Sequence, residues 1–258
     1  MHLHSRNDWA SPMTKGVLVV GATSAIASAL SRELAAAGYG LYLAARDSDE
    51  LKRLSTDLRV RYRVPVGYGD FDIEDIGAHE QLLHRAAVEL GDIDGVVLAA
   101  GMLADSQQMQ DDEATAAKIL AVNFTAPALL LSRCARALEA RRQGFIVGLG
   151  SVAGDRGRQS NYTYGAAKGG LALYLQGLRN RLTSSGIHVM TVKPGFVDTA
   201  MTYGLPGLFL VATPRAVAAD IMRGIKKRRN TLYTPWFWWI IMSLIKAIPE
   251  AFFKRMKL

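Results

Sequence analysis

Residues 15–47, KGVLVVGATSAIASALSRELAAAGYGLYLAARD, decide the fold. The apolar run 17–20 has the character of a strand buried on both faces, residues 25–37 have helical composition, and 40–45 read as a second strand. Strand, glycine turn, helix, strand is the unit that brings backbone N–H groups and a helix N-terminus up to a dinucleotide pyrophosphate. Gly21 opens the turn, Thr23 and Ser24 offer hydroxyls to the phosphate region, and Ile26 falls in the first helical turn. Ala25 and Ala27 are small enough for close helix packing, but Ala25 lacks glycine's freedom to adopt positive φ. By itself the stretch is compatible with a cofactor turn and with a plain strand-to-helix connection.

The same alternation continues along the chain, which implies a single α/β domain of the Rossmann type. A doubly wound, mostly parallel sheet would carry helices on both faces. Strand two ends in Ala45-Arg46-Asp47. An acid at that point binds ribose hydroxyls, whereas the Arg46 guanidinium suits a ribose 2′-phosphate, so NADP(H) is preferred over NAD(H). A salt bridge from Asp47 to Arg46 would leave NADH acceptable. Further on come Asp72-Ile73 after the apolar segment 64–68, GVVLAAG at 95–101 ending in Gly101, and Asn123 within ILAVNFTAP. VMTVKPGFVDTAM at 189–201 supplies a strand, the Pro194-Gly195 turn, Val197 and Thr199.

SVAGDRGRQSNYTYGAAK, residues 151–168, carries the chemistry. Tyr164 and Lys168 lie one helical turn apart on one face. A phenol with an ordinary pKa of about 10 is a poor acid–base catalyst near neutrality, and the nearby ammonium is expected to lower it. Ser151, expected to close the strand GFIVGLGS, can hold a substrate oxygen beside the phenol. Tyr162 has the wrong spacing to Lys168 and is expected only to pack or line a pocket.

Ser151, Tyr164 thirteen positions on and Lys168 four further resemble the signature of the short-chain dehydrogenase/reductase family, and the other motifs follow in its order over about residues 16–235. The resemblance implies a nicotinamide-dependent ketone reductase or alcohol dehydrogenase with catalytic residues Asn123, Ser151, Tyr164 and Lys168. In it, Asn123 holds a water that relays protons to the Lys. It further implies cofactor contacts at Gly21, Thr23, Ser24, Ala25, Ile26, Arg46, Asp72, Ile73, Gly101, Tyr164, Lys168, Pro194, Gly195, Val197 and Thr199. Assembly into homo-oligomers is implied as well. Two departures stand out: Ala25 and Ala27 replace the family's second and third glycines, and Leu98 and Ala99 replace its Asn-Asn pair.

With 258 residues and no linker-like tract, the chain divides into a flexible extension at 1–14, a catalytic domain at 15–235 and an apolar, basic tail at 236–258. The extension lacks a signal core. Cys134, the one cysteine, excludes an internal disulfide and reads as a small core residue in a reducing, cytoplasmic setting. Five scattered His give no metal set, and no nucleic-acid module surrounds the basic residues. Residues 226–258 hold eight Lys and Arg against the single acid Glu250, and three of the four Trp. Such a segment suits a lipid interface, with peripheral contact to the cytoplasmic membrane. Residues 236–245 are too few to span a bilayer, and a helix on the protein's own core or an oligomer contact are competing readings.

Residues 202–212 are apolar and glycine-hinged, fit to cover a greasy ligand, and Thr213-Pro214 opens a helix with Val217, Ile221 and Ile225 on one face. Within the family the chain is similar to a subgroup, the reductase components of decaprenylphosphoryl-ribose 2′-epimerases, which implies a polyprenyl-phosphoryl 2-keto sugar as substrate. An acyl, steroid or other small apolar ketone is the alternative. A non-catalytic, membrane-associated dinucleotide-binding protein is the alternative of another class.

Overall fold

The computed structural model describes residues 15–105, 111–204 and 209–256. The extension at 1–14 and residues 205–208 of the 202–212 segment lie outside them. The chain runs β1 (Gly16–Val20), α1 (Ala25–Ala36), β2 (Gly40–Ala45), α2 (Ser48–Tyr62), β3 (Val66–Asp70), α3 (Ala78–Leu90) and β4 (Gly95–Leu98). It continues with α4 (Glu113–Leu120), a π-helical turn (Ala121–Thr125), α5 (Ala126–Arg141), β5 (Phe145–Leu149), a 3-10 turn (Val152–Asp155) and α6 (Tyr162–Thr183). Last come β6 (His188–Pro194), α7 (Pro214–Lys226), β7 (Thr231–Thr234), α8 (Trp238–Ala247) and α9 (Glu250–Phe253).

Seven parallel strands form one sheet in the order β3-β2-β1-β4-β5-β6-β7. Every residue of β1 and β2 is buried, because helices cover both faces of the sheet. Side chains alternate between those faces. Val17 and Val19 join Leu30 and Leu34 of α1, Leu54 and Leu58 of α2, and Val217, Ile221 and Ile225 of α7 in one core layer. Leu18 and Val20 join Leu82 of α3, Leu130 and Cys134 of α5, and Leu171 and Leu175 of α6 in the other. Burial pushes the Cys134 thiol up to about 12, so it stays an uncharged core group. The run 113–141 is long and apolar enough by length and composition to cross a membrane, but its Leu130, Leu131, Cys134 and Leu138 are spent on the sheet.

Strand order reverses between β1 and β4, and at such a switch point the carboxyl ends of the strands open a crevice. Two boundaries differ from the sequence reading. β3 begins at Val66 instead of residue 64, where Pro65 precedes it, and Ser151 stands two residues beyond β5 as the N-cap of the 3-10 turn.

Candidate active site

The crevice above β1 and β4 is lined by Gly21, Thr23, Ser24, Arg46, Asp72 and Ile73 among others. Gly21 has φ +77°, and a Cβ on it would lie 2.6 Å from the Ala100 backbone nitrogen, so only glycine lets the turn pass this close to β4. Ala25 is simply the first residue of α1 and has no positive φ, so the freedom lost there is not needed. Ser24 caps that helix, its Oγ accepting from the Ala27 nitrogen at 3.4 Å. These features fit a dinucleotide: a tight turn, an open helix N-terminus and an apolar wall.

Arg46 is exposed at the rim and makes no ion pair among the described residues. The salt bridge considered for Asp47 does not form. Its carboxylate instead accepts from the Glu50 nitrogen at 2.9 Å and caps α2, a local bond that costs less chain entropy than holding an exposed arginine.

Gly101, Asn123 and Lys168 converge from three elements. A Cβ on Gly101 would stand 2.9 Å from Asn123 Oδ1 and 3.2 Å from Lys168 Nζ. Asn123 is fully buried on the π-helical turn. Its Oδ1 accepts from the Met102 nitrogen at 3.2 Å, while its Nδ2 donates to the carbonyls of Met102 at 2.8 Å and Ile119 at 2.9 Å. One amide thereby ties the chain that follows β4 to the end of α4.

Tyr164 is 9% exposed, whereas Tyr162, expected to pack or line a pocket, is 50% exposed. Ser151 Oγ accepts from the Ala153 nitrogen at 3.1 Å, and its hydroxyl acts on the Tyr164 phenol. Lys168 is buried, donates from Nζ to the Leu149 carbonyl at 3.1 Å, and lies 5.8 Å from the Tyr164 ring centroid. One expectation is reversed here. Burial pushes the Tyr164 phenol up to about 12, with the Ser151 hydrogen bond opposing it, and burial brings Lys168 down to about 8. Desolvation is the largest cause of both shifts, and Lys168 Nζ donates to the Leu149 carbonyl.

The C-terminal helices reach this centre, which the sequence did not reveal. Trp238 is 4% exposed and packs with Val152 and Met242, edge-on to Phe196 with centroids 5.5 Å apart. A Cβ on Gly195 would overlap its indole. Arg156, just past the 3-10 turn, donates to the carbonyls of Ile245 at 3.1 Å, Lys246 at 2.8 Å and Ile248 at 2.8 Å, pairs with Glu250 at 2.9 Å, and stands 3.9 Å over the Phe253 ring. Asp155 is held by Lys193 and by the Tyr233 hydroxyl. Trp236, just ahead of these helices, and Trp239, Leu244 and Phe252 on them are exposed. Val197 forms a bridge to Ala212, and the Thr199 nitrogen donates to Thr202 Oγ1 at 3.2 Å, which orders the chain after Pro194-Gly195.

Residues 15–206 match the family model described as short chain dehydrogenase. An oxidoreductase of Mycobacterium tuberculosis, described as uncharacterised, is 34% identical over 93% of this chain and 96% of its own length. The 3-oxoacyl-[acyl-carrier-protein] reductase of Escherichia coli is 31% identical over 74% of the chain and 77% of its own length. Among solved structures, a short-chain dehydrogenase from Sphingobium yanoikuyae in complex with NADPH superposes with a TM-score of 0.78 at 26% identity, covering 92% of this chain and 97% of that one.

Proposed function

Because this chain belongs to the short chain dehydrogenase family, and is therefore a nicotinamide-dependent oxidoreductase, we propose that it reduces a ketone with Tyr164 as proton donor. The observation that carries the reading is the Ser151, Tyr164 and Lys168 group, with Tyr164 and Lys168 buried, beside the crevice that Gly21 and Gly101 line. Gly21, Thr23, Ser24, Ala25 and Ile26 would hold the pyrophosphate end of the cofactor, Asp72 and Ile73 the adenine, and Gly101, Lys168, Pro194, Gly195, Val197 and Thr199 the nicotinamide half. When bound, that cofactor supplies the hydride.

Tyr164 gives its proton to the carbonyl oxygen. A phenol raised to about 12 is a weaker acid than a free one, so the reading relies on the Lys168 ammonium to return the proton as the phenol gives it up, and on the Ser151 hydroxyl to orient the substrate oxygen. Lys168 replenishes that proton from its ammonium, and Asn123 fixes the adjacent backbone and a relay water. Arg46, free of an ion pair, selects the 2′-phosphate of NADP(H). A comparison of KM for NADPH and NADH checks this, and a preference for NADH overturns it.

The substrate we infer is a lipid-linked, polyprenyl-phosphoryl 2-keto sugar. The C-terminal helices give peripheral membrane contact through Trp236, Trp239, Leu244 and Phe252 with the cations Lys246, Lys254 and Arg255. The likeness to the E. coli reductase favours a second reading, an acyl thioester ketone. Turnover of prenyl-phosphoryl keto-pentose against acetoacetyl thioesters separates the two. Co-sedimentation with anionic vesicles tests the membrane contact, and equal partitioning of the full chain and a Trp236→Ser/Trp239→Ser variant removes it.

A further inference from the structure

A second cavity, of about 330 Å³, is lined by residues of the 3-10 turn, α6, β6, β7 and α8. It shares no lining residue with the Gly21 crevice. Gly154 and Gly169 place it next to the catalytic segment: a Cβ on Gly154 would stand 2.5 Å from the Gly169 nitrogen and 2.7 Å from the Lys168 carbonyl carbon. Its charged lining is Asp155, Arg179, Lys193 and Lys246, three cations against one acid, which leaves a net charge of +2.

The acid is already engaged. Asp155, its side chain 2% exposed, is held by Lys193 and by the Tyr233 hydroxyl at 2.6 Å. Arg179 is half-buried without a carboxylate. Its Nε donates to the Val189 carbonyl at 2.8 Å, and its Nη2 to Thr191 Oγ1 at 2.9 Å and the Asn230 carbonyl at 2.6 Å. Those bonds fix the guanidinium while its Nη1 makes no hydrogen bond among the described residues. Lys246 is exposed at the other wall, and Arg156 grips its carbonyl at 2.8 Å, yet its ammonium makes no ion pair or hydrogen bond among the described residues. Gln176 and Thr231 add an amide and a hydroxyl that are likewise uncommitted among those residues.

Cations gathered in a concave, partly desolvated space raise the potential for one another, and an anion entering it relieves all of them. A phosphate monoester carries about −1.5 to −2 charges near neutrality, which matches this lining, where a carboxylate supplies half as much. A held guanidinium with a free N–H edge suits its oxygens, and an ammonium supplies a point charge. We propose that the second cavity is a binding site for a phosphate monoester, its oxygens on Arg179 and Lys246, with Lys193 shared between the ligand and Asp155. The ester can be soluble or the headgroup of phosphatidic acid, since Lys246 shares α8 with the exposed Trp239 and Leu244.

The test uses the full chain saturated with NADPH, so that added phosphate does not enter the Gly21 crevice. Calorimetry should show inorganic phosphate binding with a Kd on the order of 1 mM or tighter. Lys246→Glu, a change at an exposed side chain, should weaken it at least about tenfold, whereas Lys254→Glu, the same change outside the cavity, should stay within about two-fold. Arg179→Met should abolish binding; if its lost hydrogen bonds unfold the chain, Lys246→Glu decides. Bound phosphate should also slow amide exchange in residues 152–155 by about two-fold or more, because Gly154 and Asp155 line the cavity. Glycerol 3-phosphate and phosphatidylcholine vesicles with and without phosphatidic acid separate the two sources. Competition by glycerol 3-phosphate without vesicle recruitment assigns a soluble ester, and recruitment by phosphatidic acid that Lys246→Glu loses and Lys254→Glu keeps assigns the lipid. No phosphate binding by wild type, equal binding by Lys246→Glu, or unchanged exchange at 152–155 overturns the proposal. None of these readouts uses turnover, so the site stands or falls separately from the reductase reading.

Discussion

The Gly21 end of the sheet and the C-terminal helices flank the same centre but are built by opposite means. β1, the Gly21 turn and α1 follow one another in 21 residues, and local rules of strand, turn and cap specify them. α8 and α9 lie more than eighty residues from the turn after Ser151 that holds them, and their inner face is decided by Arg156 and by the space above Gly195. One helix pair thus shows two characters. Trp238 is 4% exposed and adjacent Trp239 59%, although nothing in WFWWII distinguishes them by composition. A segment can be a wall of an active site on one side and an apolar surface on the other.

The largest test of this contrast lies at the chemistry. Tyr164→Phe should reduce kcat by about 10²–10⁴-fold with cofactor affinity retained, measured by steady-state rates and NADPH titration. Near-normal turnover would remove the phenol from the reaction. Next, Trp238→Ala should cost about 3–5 kcal/mol in chemical denaturation, as for a buried tryptophan, and should lower turnover through the loosened Gly195 turn. Trp239→Ala, one residue on, should change stability by no more than about 0.5 kcal/mol. If the two variants behave alike, the tail is not docked as described.

The pH profile sharpens the other side of the comparison. Lys168 is charged below its pKa of about 8 and neutral above it, so the reduction rate should fall about tenfold per pH unit beyond that point. Tyr164 remains protonated to about 12 and does not cause the fall. A rate that is flat to pH 10 would take the ammonium out of the relay. A small effect is also expected of Glu250→Gln. Its partner Arg156 is held by three carbonyls and Glu250 itself is exposed, so stability should drop by less than about 1 kcal/mol in the same denaturation assay.

Much of this was legible beforehand for identifiable reasons. The run 40–45 is a strand as read, and Thr213 caps α7, its Oγ1 accepting from the Ala216 nitrogen at 3.2 Å, because caps and buried strands depend on neighbours in the chain. The spacing of Tyr164 and Lys168 on one helix gave the pair. It did not give the sign of the tyrosine shift, since desolvation depends on what α4 and the 3-10 turn pack around the ring. Ala25 looked like a defect until its backbone proved to be helical.

The amino-acid order alone determined the parallel α/β scaffold, the glycine turn after β1 and the identity of the polar groups after β5, because periodicity, glycine freedom and helix spacing act over a few residues. Tertiary structure decided that Trp238 closes over Gly195 and that Arg156 grips the tail. Those are questions of which distant atoms exclude water from which charge, and only the folded chain brings them together.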